Sequence, residues 1–65
     1  MIKLKIEGMT CNHCVMHVKQ ALIAVPGVES AEVDLQAGEA TVQGQADIQA
    51  LLAAVEAEGY SARLA

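Results

Sequence analysis

Residues 2–25 read IKLKIEGMTCNHCVMHVKQALIAV, and the spacing of their apolar residues changes once, at Gly8. Before Gly8, apolar residues alternate with charged ones, which predicts a half-buried strand that ends at this glycine. After Gly8, apolar residues recur at helical spacing and predict a helix from about Asn12 or His13 to Ala24. The buried stripe of this helix consists of Val15, Val18, Leu22 and Val25.

The middle of the chain predicts two more strands. Pro26-Gly27 ends the helix because proline cannot continue its hydrogen-bond ladder. A strand from about Val28 to Leu35 is followed by a hairpin connection at residues 36–39, and a short third strand is broken by Gly44. The residues predicted to point inward from these two strands are Ala31, Val33, Leu35, Ala40 and Val42.

The last third predicts a second helix and a fourth strand. Asp47 is a candidate N-cap, because its carboxylate can accept hydrogen bonds from the free N–H groups of the first turn. Gly59 is suited to the left-handed conformation that ends many helices. A strand from Tyr60 to Leu64 follows. The predicted inward residues are Ile48, Leu51, Leu52 and Val55 on the helix and Tyr60, Ala62 and Leu64 on the strand.

The order of elements is strand, helix, strand, strand, helix, strand, and every strand keeps one polar face. This pattern favours a four-stranded antiparallel sheet with water on one side and both helices on the other. The sequence therefore predicts an α+β fold, a ferredoxin-like βαββαβ sandwich, in a single domain over residues 1–65.

Composition excludes several classes of protein. The net charge is −4 and there is one aromatic residue, which argues against a nucleic-acid partner. Two cysteines are too few for a disulfide framework. No apolar run has the length of a signal peptide or a membrane span, so we expect no membrane insertion. We predict a cytoplasmic protein whose thiols stay reduced.

The two cysteines, Cys11 and Cys14, stand three apart between the first strand and the first helix. Unpaired backbone N–H groups at a helix N-terminus favour negative charge. A thiol there loses its proton more easily than a free cysteine. The position therefore favours thiolates, which are both metal ligands and nucleophiles.

Metal capture is the first interpretation of this pair. Thiolates select Cu(I), zinc or iron–sulfur centres, but zinc and iron–sulfur sites usually need four ligands. This chain offers two cysteines with His13 and His17 close by. Cu(I) accepts two thiolates in a near-linear arrangement, and an incoming thiolate can add as a third ligand. Such an open site suits a carrier, so we predict Cu(I) as the bound metal.

Two other interpretations stay open. A CxxC motif near a βαβ unit also marks thiol–disulfide oxidoreductases. Against this, the chain is short for a thioredoxin-type fold, and no proline lies in the motif or before the last strand. The second is that the cysteines have no chemical role and pack as small buried hydrophobic residues.

The segment Gly8–Cys14, GMTCNHC, resembles the GMTCxxC motif of heavy-metal-associated domains, and in particular the free-standing bacterial copper chaperones of the CopZ type. The resemblance extends over essentially all 65 residues, including Pro26-Gly27-Val28 and Glu58-Gly59-Tyr60. It implies that Cys11 and Cys14 hold Cu(I). It also implies ligand exchange with the metal-binding domains of a P-type copper-transporting ATPase.

Four residues near the motif are candidate accessory groups. The resemblance implies that Met9 packs beneath the loop and that Tyr60 lies in a neighbouring loop near the metal. His13 is interpreted as an exposed first-turn residue, with a third ligand or a bridge between two chains as the alternative. His17 is interpreted as a solvated helix residue, with a place beside the metal or in a dimer as alternatives.

Together these observations predict a non-enzymatic carrier, monomeric unless copper bridges two chains. Mercury or zinc is the alternative cargo, since mercury also accepts two linear thiolates. A second alternative is that the sequence is one metal-binding domain of a larger ATPase.

Overall fold

The computed structural model describes all 65 residues and contains four strands and two helices. In chain order these are β1 (Ile2–Glu7), α1 (Asn12–Ile23), β2 (Val28–Asp34), β3 (Glu39–Gly44), α2 (Ile48–Ala57) and β4 (Ser61–Leu64). The strands form one sheet in the order β2-β3-β1-β4, and every neighbouring pair is antiparallel. The predicted ferredoxin-like βαββαβ fold is confirmed.

The core lies between one face of the sheet and the two helices. The sheet contributes every second residue of its strands, as the alternating pattern predicts. Both helices contribute residues at helical spacing. The ten buried residues are Leu4, Ile6, Val18, Leu22, Val25, Ala31, Ala40, Val42, Leu51 and Val55. The opposite face of the sheet carries polar and charged side chains, so the expectation of one wet face holds.

Several predicted boundaries move by one residue. α1 ends at Ile23, with Ala24 as its C-cap, and β2 ends at Asp34 rather than Leu35. The Asp34 carboxylate accepts hydrogen bonds from the backbone N–H groups of Gln36 (3.0 Å) and Ala37 (3.2 Å). These bonds form a turn that includes Leu35, so the strand ends one residue earlier than predicted.

Strand ends also shift in the second half of the chain. Glu39 and Gly44 were expected outside β3, but both belong to it. Tyr60 was expected in β4, but this strand begins at Ser61. Asp47 is the N-cap of α2 as predicted, and its side chain accepts from the backbone N–H of Gln49 at 3.2 Å.

One residue predicted to point inward faces the core side but is not buried. Leu64 lies opposite Leu4 in the sheet, so it is on the core face, but it is 53% exposed. β4 is an edge strand and Leu64 is its last residue, so little covers the side chain. Val15, also predicted as part of the buried stripe, is only half-buried.

Glycines allow close approaches at both ends of the sheet. At one end, a Cβ on Gly44 would lie 2.3 Å from the carbonyl oxygen of Gly27, so the end of β3 and the residue before β2 touch backbone to backbone. At the other end, Gly8 has φ +103°, and a Cβ there would lie 3.3 Å from Cδ1 of Tyr60. The second contact brings the α2–β4 loop beside the end of β1. No helix of this fold is long and apolar enough to cross a membrane.

Candidate metal site

The loop between β1 and α1 carries both cysteines to the surface. Cys11 is the N-cap of α1 with extended backbone (φ −158°), and its carbonyl accepts from the backbone N–H groups of Cys14 (3.1 Å) and Val15 (3.3 Å). The Cys11 side chain makes no capping hydrogen bond. Its backbone therefore closes the first turn while its sulfur stays available. Cys14 lies within that first turn.

The two sulfurs face each other. Cys11 Sγ and Cys14 Sγ are 3.8 Å apart, and both thiols are free. At a metal–sulfur distance of about 2.3 Å, one ion can join two sulfurs that are up to about 4.6 Å apart. Cys11 is exposed and Cys14 is half-buried, so the interpretation as buried hydrophobes is wrong.

Hydrogen bonds favour the thiolate form of Cys14. The pKa of the Cys14 thiol is lowered from 9.0 to about 6, chiefly by a hydrogen bond from the Thr10 backbone and then by one from the Tyr60 side chain. Desolvation opposes this shift, and the Thr10 hydroxyl, 3.8 Å from the sulfur, adds to it. No acidic residue in the first turn of α1 opposes the charge. Cys14 is therefore mostly a thiolate at neutral pH.

Tyr60 lies against this thiolate. It is half-buried and packs on the core, and its hydrogen bond to Cys14 raises the pKa of its hydroxyl to about 12. The hydroxyl therefore stays protonated at neutral pH. The structure agrees with the expected place of Tyr60 in a loop beside the site.

Thr10 was given no role from the sequence, although its backbone has the largest effect on the pKa of Cys14. Its position directly before the N-cap was a usable signal, because backbone N–H groups around a helix start point toward groups in the first turn.

The other candidate residues lie around the pair without joining it. Met9 is half-buried and packs on the core, in agreement with its expected packing role. His13 is exposed. His17 is also exposed, and its Nδ1 lies 3.8 Å from Oε1 of Glu58. No histidine, aspartate or glutamate joins the two cysteines as a third member of a group that could hold a metal ion. That Cys11 and Cys14 are the ligands stays a prediction.

The Heavy-metal-associated domain family matches this chain over residues 3–61, nearly its whole length. The chain belongs to this family.

Two curated relatives of this heavy-metal-associated domain are much longer proteins. "Copper-transporting ATPase 2" of Rhizobium meliloti (strain 1021) is 53% identical over 62 residues, covering 92% of this chain and 8% of the ATPase. "Mercuric reductase" of Shewanella putrefaciens is 46% identical over 65 residues, covering 97% of this chain and 12% of the reductase. The domain thus spans only a small part of either relative.

A solved structure called "CopZ metallochaperone" matches the domain over nearly all of both chains. It has a TM-score of 0.90 and 36% sequence identity, and the match covers 94% of this chain and 96% of that one. The family thus includes relatives named for copper and for mercury, and the fold occurs both in small proteins and as part of large ones.

Proposed function

We propose that this domain carries Cu(I) in the cytoplasm and passes it to a metal-binding domain of a P-type copper-transporting ATPase. The observation that carries this proposal is the pair of free sulfurs 3.8 Å apart at the start of α1, one exposed and one with a lowered pKa. The protein acts as a carrier and catalyses no reaction.

The donor set suits Cu(I). Soft thiolates favour this ion, which needs only two of them. Two thiolates and one Cu(I) leave one negative charge, and the N-terminus of α1 stabilises it. Zinc prefers four ligands, and only the two thiolates converge here, so zinc at this pair would depend on water for its remaining ligands, whereas Cu(I) would not.

The unequal exposure of the cysteines suits transfer. Cys11 is exposed, so a thiolate of the partner can reach a metal held there. Cys14 is half-buried and hydrogen-bonded, so it keeps hold of the ion during the first exchange step. A partner thiolate adds, Cys11 leaves, and the second exchange follows at Cys14. The copper is never free in solution.

Anaerobic titration of the reduced protein with Cu(I), against a competing Cu(I) chelator, tests the binding step. We expect one copper per chain by native mass spectrometry. Cys11→Ser and Cys14→Ser should each abolish tight binding, whereas Met16→Gln, an exposed change on the same helix, should not. Unchanged affinity in either serine variant would overturn the proposal.

Mixing the copper-loaded protein with a separate copper-ATPase metal-binding domain tests the transfer step. We expect copper on the acceptor after separation, even when a chelator that captures free Cu(I) is present. Copper found only on the chelator would contradict direct transfer while leaving the binding result intact.

Mercury is the second candidate cargo, because a mercuric reductase is among the close relatives. Competition between Hg(II) and Cu(I) for the reduced protein does not by itself identify the cargo, since thiolates bind both. A mercury carrier would transfer Hg(II), but not Cu(I), to its partner. Failure of copper transfer together with successful mercury transfer would favour this alternative.

A further inference from the structure

A second group of metal-ligating side chains lies on α1, outside the cysteine pair. His13 and His17 are four residues apart on this helix, and both side chains are exposed. Residues at this spacing lie on one face of a helix, with about 5–6 Å between their Cβ atoms. Two histidines so placed are a known arrangement for chelating zinc.

A carboxylate stands beside the second histidine. Nδ1 of His17 lies 3.8 Å from Oε1 of Glu58, which belongs to the loop between α2 and β4. This distance is within ion-pair range but longer than a hydrogen bond, so the site requires the Glu58 carboxylate to move closer to His17 when the metal binds. A histidine that binds a metal commonly donates its other ring N–H to a carboxylate. With Nδ1–H directed at Glu58, Nε2 of His17 is free to coordinate.

We propose that His13 and His17 chelate one divalent cation of intermediate softness, of the Zn²⁺ class, with Glu58 as the positioning residue for His17. Water completes the coordination. Neutral imidazoles suit zinc, copper(II) and nickel, whereas the thiolates of the cysteine pair suit softer ions. The two sites therefore differ in donor chemistry.

The surroundings permit this binding. The side chains of His13, His17 and Glu58 do not converge on one point in the structure, but the histidines are exposed and can rotate without moving the backbone. Lys19, the lysine on α1, is two residues from His17 and projects from the other side of the helix. The Cys14 sulfur lies 3.8 Å from the Thr10 hydroxyl and 3.8 Å from the Cys11 sulfur.

Calorimetric titration with Zn²⁺ in a non-coordinating buffer at neutral pH tests the site. The full chain carrying both Cys11→Ser and Cys14→Ser is used, so that thiolates contribute nothing. We expect one Zn²⁺ per chain. His13→Gln or His17→Gln should each lower the affinity by about a hundredfold, because the second imidazole binds intramolecularly. Met16→Gln is the matched control and should leave the affinity unchanged.

Three results would overturn the proposal: no binding in the folded double-serine protein, binding that survives both histidine changes, or one Zn²⁺ shared by two chains. Circular dichroism of each variant establishes that it is folded. This outcome is independent of the Cu(I) proposal, since the double-serine protein cannot carry copper through its thiolates.

The positioning role of Glu58 has its own readout. Glu58→Gln should lower Zn²⁺ affinity by about tenfold. It should also change the ¹⁵N chemical shifts of the His17 ring, which report which nitrogen carries the proton, while those of His13 stay the same. Unaltered His17 shifts and unaltered affinity would remove Glu58 from the site.

Discussion

Tyr60 and Cys14 shift each other's pKa in opposite directions. The pKa of Cys14 is lowered to about 6, mainly by the Thr10 backbone and next by the Tyr60 hydroxyl. The pKa of Tyr60 is raised to about 12, mainly by its hydrogen bond to Cys14. Each group therefore favours the protonation state of the other, a protonated hydroxyl beside an ionised sulfur. The Cys14 sulfur is therefore mostly ionised at neutral pH, the form in which cysteine binds metals.

Removing the tyrosine hydroxyl should weaken the Cys14 thiolate. In Tyr60→Phe we expect the pKa of Cys14 to rise from about 6 toward 9.0, while the ring keeps its packing on the core. Thiolate absorbance in the ultraviolet, followed against pH, measures this. The Cys14→Ser variant identifies which part of the signal belongs to Cys14. An unchanged pKa would show that the hydroxyl makes no such bond.

The hydroxyl of Thr10 should matter less than that of Tyr60. Thr10→Val keeps the backbone N–H, the largest influence on Cys14, and removes a side-chain contribution smaller than that of Tyr60. We therefore expect the pKa of Cys14 to rise in Thr10→Val by less than it rises in Tyr60→Phe. The rate of Cys14 alkylation, measured against pH, gives the pKa in each variant. A larger rise in Thr10→Val than in Tyr60→Phe would contradict these causes of the shift.

Protein stability should depend on pH through Cys14. The pKa of this thiol is about 6 in the folded protein, and its ordinary value is 9.0. Between pH 6 and pH 9, Cys14 is therefore protonated in the unfolded chain and ionised in the folded protein. The free energy of unfolding should therefore rise from pH 6 to pH 9 and lose this contribution as pH falls through about 6. Urea denaturation of metal-free, reduced protein measures the trend. Cys14→Ser should show a smaller rise, and equal slopes would contradict the prediction.

Gly44 should tolerate no side chain. In Gly44→Ala, the new Cβ would lie 2.3 Å from the Gly27 carbonyl oxygen at a φ of +125°, so the end of β3 and the α1–β2 loop must separate. We expect a loss of about 2–4 kcal/mol in the free energy of unfolding. Gly59→Ala is the matched control, because its φ is also positive (+95°) but nothing lies within 4 Å. It should cost about 1 kcal/mol. Equal losses would show that the close approach is unimportant.

Two leucines, one on α2 and one on the core side of β4, should differ sharply. Leu51 is completely buried, so Leu51→Ala should lower the free energy of unfolding by about 2–5 kcal/mol. Leu64 is 53% exposed, and Leu64→Ala should cost about 0.5 kcal/mol or less. Chemical denaturation of both variants measures the difference. A large loss at Leu64 would indicate that something covers this edge in solution.

Local patterns predicted most of the fold. The alternation before Gly8 and the helical spacing after it gave β1 and α1 to within one residue, because burial of one face requires that periodicity. The ends of α1, β2 and β3 each differ from the prediction by one residue, because such ends depend on hydrogen bonds like those of the Asp34 turn and on pairing between strands.

The site was predicted in part. Its two cysteines follow from their spacing and from the start of α1. The influence of Thr10 on Cys14 was not predicted, because the direction of a backbone N–H depends on the folded loop. The approach of Glu58 to His17 was also not predicted, because it joins two segments that are distant in the sequence.

The sequence by itself determined the order of elements, the apolar face of each and the position of the thiol pair at the start of a helix. These depend on residues that are neighbours along the chain. Only the tertiary structure decided that Tyr60 meets Cys14 and that Leu64 stays exposed. Both follow from the place of β4 beside β1 at the sheet edge, which brings the α2–β4 loop to the cysteines and leaves the last strand residue uncovered.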